Sequence, residues 1–169
     1  MKIPFSKLLI FVVIALVAGC TSNDAQDEFE REAYRDAQGI TETDFNGDVI
    51  GEPDPDDWRI SPLYIGLAEV VSPAFPNPVQ HGTTSRIEVE LKGIPYTTRL
   101  ELGFFDNRFA QRRWQEIDIY EDATEYNIAS LSINTILFGS NASEARGTYR
   151  LILLDDNQRV ITYGDITIE

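Results

Sequence analysis

The hydrophobic and polar positions of this chain change rhythm three times. Leu8–Ala18 is one unbroken apolar run. From Thr21 to Asp57 apolar residues thin out. Ala25, Phe29, Ala33 and Ala37 recur at every fourth position there, which predicts a short helix opened by Asn23, running to Gln38 and stopped by Gly39. That stripe is mostly alanine, so the helix should bury little and be marginal alone. Ile40–Asp57 holds Pro53 and Pro55 among acids and reads as extended, disordered linker. From Trp58 onward the rhythm shortens to alternation, the mark of strands.

Leu67–Val71 is the first expected strand. Pro73, Pro76 and Pro78 follow, each without an amide donor, which confines that stretch to a sheet edge or a crossing between sheets. Arg86–Leu91 sends Ile87, Val89 and Leu91 inward, and Arg99–Phe105 does the same with Leu100, Leu102 and Phe104. Trp114–Tyr120 offers Ile117 and Ile119. Tyr126–Ile133 changes phase around Ala129 and Ser130, predicting a bulge or helical turn. Tyr149–Leu154 is apolar on both faces, as expected of a central strand. Asp155-Asp156-Asn157-Gln158 supplies turn residues, and Arg159–Glu169 returns as the last strand, bent at Gly164. Trp58–Tyr64, rich in large apolar side chains, is expected to lie across one end as a lid. About seven strands with short turns predict an all-β fold, a β-sandwich over residues 58–169. That length suffices for a real core.

Charge sharpens this division. The chain carries 28 acidic and 14 basic residues, a net of −14. Lys2 and Lys7 contribute +2, residues 21–57 contribute −11 and residues 58–169 contribute −5, so the acidity belongs mainly to the expected tether. Such a field repels nucleic-acid phosphates, and nucleic acid is excluded as a partner. A single cysteine, Cys20, leaves no internal disulfide, and with one histidine, His81, no Cys/His zinc set exists.

The first 20 residues form an address. Lys2 and Lys7 flank the start of the apolar run, which at about 11 residues is short of the ~20 that span a bilayer. A basic start, a short apolar middle and small residues at the end make a secretory signal over residues 1–19. Val17-Ala18-Gly19-Cys20 resembles the lipobox of bacterial lipoproteins. The resemblance implies cleavage between Gly19 and Cys20, a diacylglycerol on the Cys20 thiol and an acyl group on its new amine. That covalent lipid is the only non-protein group expected. It also implies anchoring in the cell envelope, on the outer membrane because Thr21 rather than Asp follows the cysteine. Residues 20–57 would then be a lipidated acidic tether. Fully extended, residues 21–57 reach on the order of 120 Å at ~3.3 Å each.

A second resemblance concerns the strands. Ala74-Phe75-Pro76-Asn77-Pro78-Val79, then Gly82, the alternating Arg86–Leu91, and Gly147-Thr148-Tyr149-Arg150-Leu151 before a polar turn are similar to the C-terminal sorting domains of type IX secretion cargo. It implies an immunoglobulin-like sandwich over about residues 75–169, and secretion-associated sorting as an alternative role.

Catalytic sets do not assemble from the sequence. His81 sits in a turn beside Gly82. Ser140 and Ser143 lack the Gly-x-Ser-x-Gly elbow. Glu116, Asp118, Glu121, Asp122 and Glu125 fall on outward strand positions and a turn. Neither Asp44-Phe45-Asn46-Gly47-Asp48 nor Asp54-Pro55-Asp56-Asp57 has EF-hand spacing, so no metal is expected and both read as solvated spacer. Arg108, Arg112 and Arg113 around Trp114 form the one basic, aromatic cluster, a candidate grip for an acidic protein or a glycan. A charged edge that discourages strand addition fits the same residues. The expected protein is a non-enzymatic structural or interaction module of the envelope. Its expected partners are the membrane and another envelope protein or glycan, with carbohydrate binding as the alternative.

Overall fold

The computed structural model describes residues 21–92, 99–106, 111–121 and 128–169. The expected signal segment, Gly19, Cys20, Arg108, Asp122, Glu125 and the first two residues of the strand expected at Tyr126 lie outside the described residues.

Among the described residues, two antiparallel sheets form. The smaller contains β2 (Ala68–Phe75), β3 (Thr84–Leu91) and β6 (Ile128–Asn134), in the order β2-β3-β6. The larger contains β1 (Arg59–Ile60), β4 (Arg99–Asp106), β5 (Arg113–Glu121), β7 (Gly147–Asp155) and β8 (Val160–Ile168), in the order β1-β8-β7-β4-β5. The chain passes between sheets after β1, β3, β5 and β6, which is the Greek-key path of an immunoglobulin-like sandwich. Alternation sets the core. Ile87, Val89, Leu91, Leu131 and Ile133 of the small sheet face Leu100, Leu102, Phe104, Leu151, Leu153 and Ile166 of the large one, all buried. Phe104 stacks on Phe138 at 4.4 Å and seals one end. The expected all-β sandwich is the observed fold.

Pro73, Pro76 and Pro78 do both things the missing amides allow. β2 is an edge strand, irregular between Val70 and Phe75, and the chain then crosses to the other sheet. Val79 donates its amide to Thr167 at 2.9 Å and accepts that of Glu169 at 2.9 Å, beside β8. The peptides before Pro76 and Pro78 are cis. Asn77, fully buried between them, donates to the carbonyls of Thr41 and Asp165 and accepts the Thr167 amide at 3.0 Å.

Several expectations change. No bulge interrupts β6. Ala129, Leu131 and Ile133 alternate inward in unbroken register with β3, alanine simply being the smallest of three core residues. A bulge lies in β5 instead, where Leu102 opposes Asp118 but Gly103 opposes Glu116. It shifts the phase, so Ile117 and Tyr120, rather than Ile117 and Ile119, pack on the core. Trp58–Tyr64 is no end lid. Its Arg59 and Ile60 extend the large sheet beside β8, and a 3-10 turn at Pro62–Tyr64 follows.

The largest correction concerns residues 21–57, which pack on the sandwich instead of standing off as disordered tether. Helix α1 (Thr21–Ala33) includes Asn23 within it and ends six residues before Gly39. Arginines from the sheet end it. Arg150 donates to the Glu32 carbonyl at 3.0 Å and Arg112 to the Tyr34 carbonyl at 2.7 Å, taking acceptors a helix C-terminus leaves open. Phe29 and Ala33 are buried against Ile152, Leu154, Val160 and Tyr163 on the outer face of the large sheet. This is why Tyr149–Leu154 reads apolar on both faces: one face meets the core and the other meets α1. Beyond the helix, Thr41 and Thr43 are buried, and Thr43 exchanges both backbone hydrogen bonds with Asn77.

Candidate functional site

A polar cleft of about 210 Å³ lies where the segment after α1 crosses the outer face of β8. Glu32, Arg35, Gln38, Asp54, Asp57 and Arg150 line it, together with Tyr163 and Asp165. Two buried or half-buried carboxylates hold the crossing chain. Asp57 accepts the Thr41 amide at 2.7 Å and the Asp165 amide at 2.6 Å. Asp165 accepts the amides of Gln38 at 2.8 Å and Gly39 at 3.3 Å, and forms a two-pronged ion pair with Arg150. Arg150 sits directly opposite Asp165 in the β7–β8 register and lies 4.7 Å over the Tyr163 ring.

A second set clamps the helix. Arg59 donates to Glu32 and to the Tyr163 hydroxyl, each at 2.6 Å, and that hydroxyl donates to Glu32 at 3.2 Å. The bond from Arg59 holds the Glu32 carboxyl below its usual range, against a smaller opposing effect of burial. Asp57 goes the other way. Burial, with the nearby Asp165 charge adding to it, pushes its carboxyl up to about 6 despite the amide bonds that favour ionisation. Trp58 packs over Gly164, where a Cβ would stand 2.2 Å from the indole.

Chemically this is a latch. Its carboxylate oxygens already receive N–H donors and arginine, and the cleft's lining holds carboxylates, guanidinium groups, amides and a phenol. Asp57 is the carboxyl in it that burial raises, to about 6. Sequence reasoning missed all of these residues as a site. The signal was there in the matched interruption of two apolar strands, Arg150 in β7 and Asp165 in β8.

The residues singled out from sequence are dispersed. Arg112 is spent on the Tyr34 carbonyl and on the Phe105 ring at 4.9 Å, and lies 3.7 Å from Asp36. Trp114 lies over Gly103, against Phe105, and donates its indole N–H to Glu101 at 2.7 Å. Arg113 is exposed on the edge strand β5. Both Arg112 and Trp114 therefore brace the end of the helix segment against β4 and β5. His81 contacts the Gly139 carbonyl at 3.0 Å. Asn141 caps the short helix α2 (Ala142–Ala145), accepting the amides of Ser143 and Glu144. Asp118 accepts the Ser132 amide at 2.7 Å and so covers part of the free edge of β6. Asp44 accepts the amides of Asn46 and Asp48, closing a hairpin turn. Among the described residues no group of three or more metal-ligating side chains converges, and no helix is long and apolar enough to cross a membrane.

One further surface has binding character. The hairpin from Thr43 to Ile50 leaves Phe45 84% exposed beside a groove on the outer face of the small sheet. Thr84, Arg86 and Ser132 line that groove, and Arg86 lies 4.5 Å over the buried Phe75 ring.

Neither a protein-family model nor a curated protein matches this chain. Among solved structures, one described as "X-Ray photoreduction of Polysaccharide monooxygenase CBM33" aligns at 12% identity with a TM-score of 0.37. The match covers 54% of this chain and 59% of the other, less than two thirds of its length, and the fold assignment rests on the strand pairing alone.

Proposed function

We propose that this chain is an envelope lipoprotein, lipidated at Cys20 after cleavage at Gly19, that displays an immunoglobulin-like sandwich as a non-enzymatic interaction module on the outer membrane. One observation carries the reading beyond the signal itself. The residue after Cys20 already belongs to a helix fastened to the sandwich through Phe29, Ala33 and Glu32. An anchor at Cys20 is therefore coupled to the position of the whole sandwich, as a presentation scaffold requires. The test is Cys20→Ser. Loss of labelling by radioactive palmitate, loss of processing and release from alkaline-extracted membranes are expected. A Cys20→Ser protein that is cut normally and stays in those membranes refutes the anchor.

A second reading, glycan binding, is favoured by the exposed Phe45 ring beside Thr84, Arg86 and Ser132, a stacking surface next to hydrogen-bonding groups. Retention on envelope polysaccharide that falls at least tenfold in Phe45→Ala, a loss of about 1.4 kcal/mol, supports it. Equal retention removes it.

A further inference from the structure

The end of the sandwich from which α1 starts carries an uncovered apolar turn. Residues Pro62–Leu67 join β1 to β2, with Leu63 44%, Ile65 72% and Leu67 38% exposed. Tyr64, between them, turns inward to Asp155 at 2.5 Å. Three apolar side chains facing solvent at consecutive odd positions of one tight turn are unusual unless something covers them.

The position of the turn indicates what that is. Gln26 of α1 accepts hydrogen bonds from the Leu63 amide at 3.1 Å and the Ser61 hydroxyl at 3.2 Å, so the first half of the helix lies against this turn. The helix then descends past Arg59 and Tyr163 to Arg112 at the other end of the sheet. From Gln26 back to Thr21 the axis advances only about 7.5 Å, at ~1.5 Å per residue. The described helix thus begins near Leu63, and Cys20 precedes its first residue in the sequence. Several charges around the turn are paired. Lys92 bridges Glu69 and Glu90, and Arg159 holds Asp155. That pairing lowers the cost of bringing the apolar centre to a bilayer interface.

We infer that Leu63, Ile65 and Leu67 form a membrane seat: the turn dips into the lipid interface beside the anchored end of α1 and fixes which end of the sandwich faces outward. This rests on the lipid anchor proposed above. Asp24 and Asp27, exposed on the same helix, favour zwitterionic over anionic lipid.

In the lipidated chain Cys20 is blocked, so a polarity-sensitive thiol dye can report from Ile65→Cys, and from Asn141→Cys at the opposite end. Both variants are reconstituted in phosphatidylcholine–phosphatidylethanolamine vesicles with brominated acyl chains. The expected result is a blue-shifted Ile65 dye quenched at least ~threefold more than the Asn141 dye, since an interfacial element sits at the headgroup–acyl boundary. Equal quenching in vesicle-bound protein overturns the seat and leaves the anchor standing. Protein that fails to float with the vesicles overturns both. A blue shift without bromine quenching means that a second copy covers the turn, and overturns the seat as well.

Discussion

Single side chains decide how the N-terminal third is held. Gly164 is one. A methyl group there would overlap the indole of Trp58 at 2.2 Å, and the expected cost of Gly164→Ala is about 1–3 kcal/mol with a red-shifted tryptophan emission. An unchanged denaturation midpoint would mean that Trp58 is not seated there. Asp57 gives a pH dependence with a definite sign. Its carboxyl is raised from 3.8 to about 6, so the folded chain holds the proton more tightly than the unfolded one. Stability from this group is therefore fullest below about 4, falls as pH rises to about 6 and is flat above, a swing of roughly 3 kcal/mol. Asp155 acts oppositely. Hydrogen bonds from Tyr64 and Arg159 outweigh burial and lower its carboxyl, so its contribution is lost only as pH falls through the folded value. Comparing urea midpoints from pH 4 to 6 for the parent and Asp57→Asn isolates the first effect. Identical slopes would contradict it. None of this was legible in sequence, because Asp57 and Asp165 are 108 positions apart and only the sheet register sets them side by side.

Strands were the legible elements. Strands formed at all seven expected places, with ends moved by a few residues, because a half-buried strand such as Arg86–Leu91 writes its two faces directly into the chain. The bulge in β5 was not legible. An extra residue at Ile117 leaves composition unchanged and only shifts the phase downstream. The helix failed differently. Its alanine-rich stripe suggested little burial, yet Phe29 and Ala33 meet a second apolar face of β7 and β8. The clue lay in Tyr149–Leu154, apolar on both sides. Docking of α1 should depend on that one ring. Phe29→Ala is expected to cost about 3 kcal/mol and to expose Tyr34–Asp57 to proteolysis while β-sheet circular dichroism persists. Protease resistance equal to the parent would show that the arginine clamps hold the helix without it.

At the scale of the molecule, a docked N-terminal segment replaces a long spacer. Residues 21–169, folded compactly, should give a radius of gyration near ~15 Å by small-angle scattering. A value several ångströms larger would restore the extended tether. The acidic excess of residues 21–57 is then displayed on the sandwich itself.

β8 has a consequence of its own. The nine residues Val160–Ile168 are the last strand in the chain. They pair with β1 and β7, receive Val79, and carry the Asp165 and Tyr163 partners of the latch. Nearly everything built early in the chain closes on something made last. While β2, β3 and β6 can assemble without β8, α1 and the segment behind it settle only on the face that β7 and β8 supply. Contacts spanning more than a hundred residues also make this closure slow. The N-terminal segment therefore stays open until β8 pairs with β7, and locks when it does.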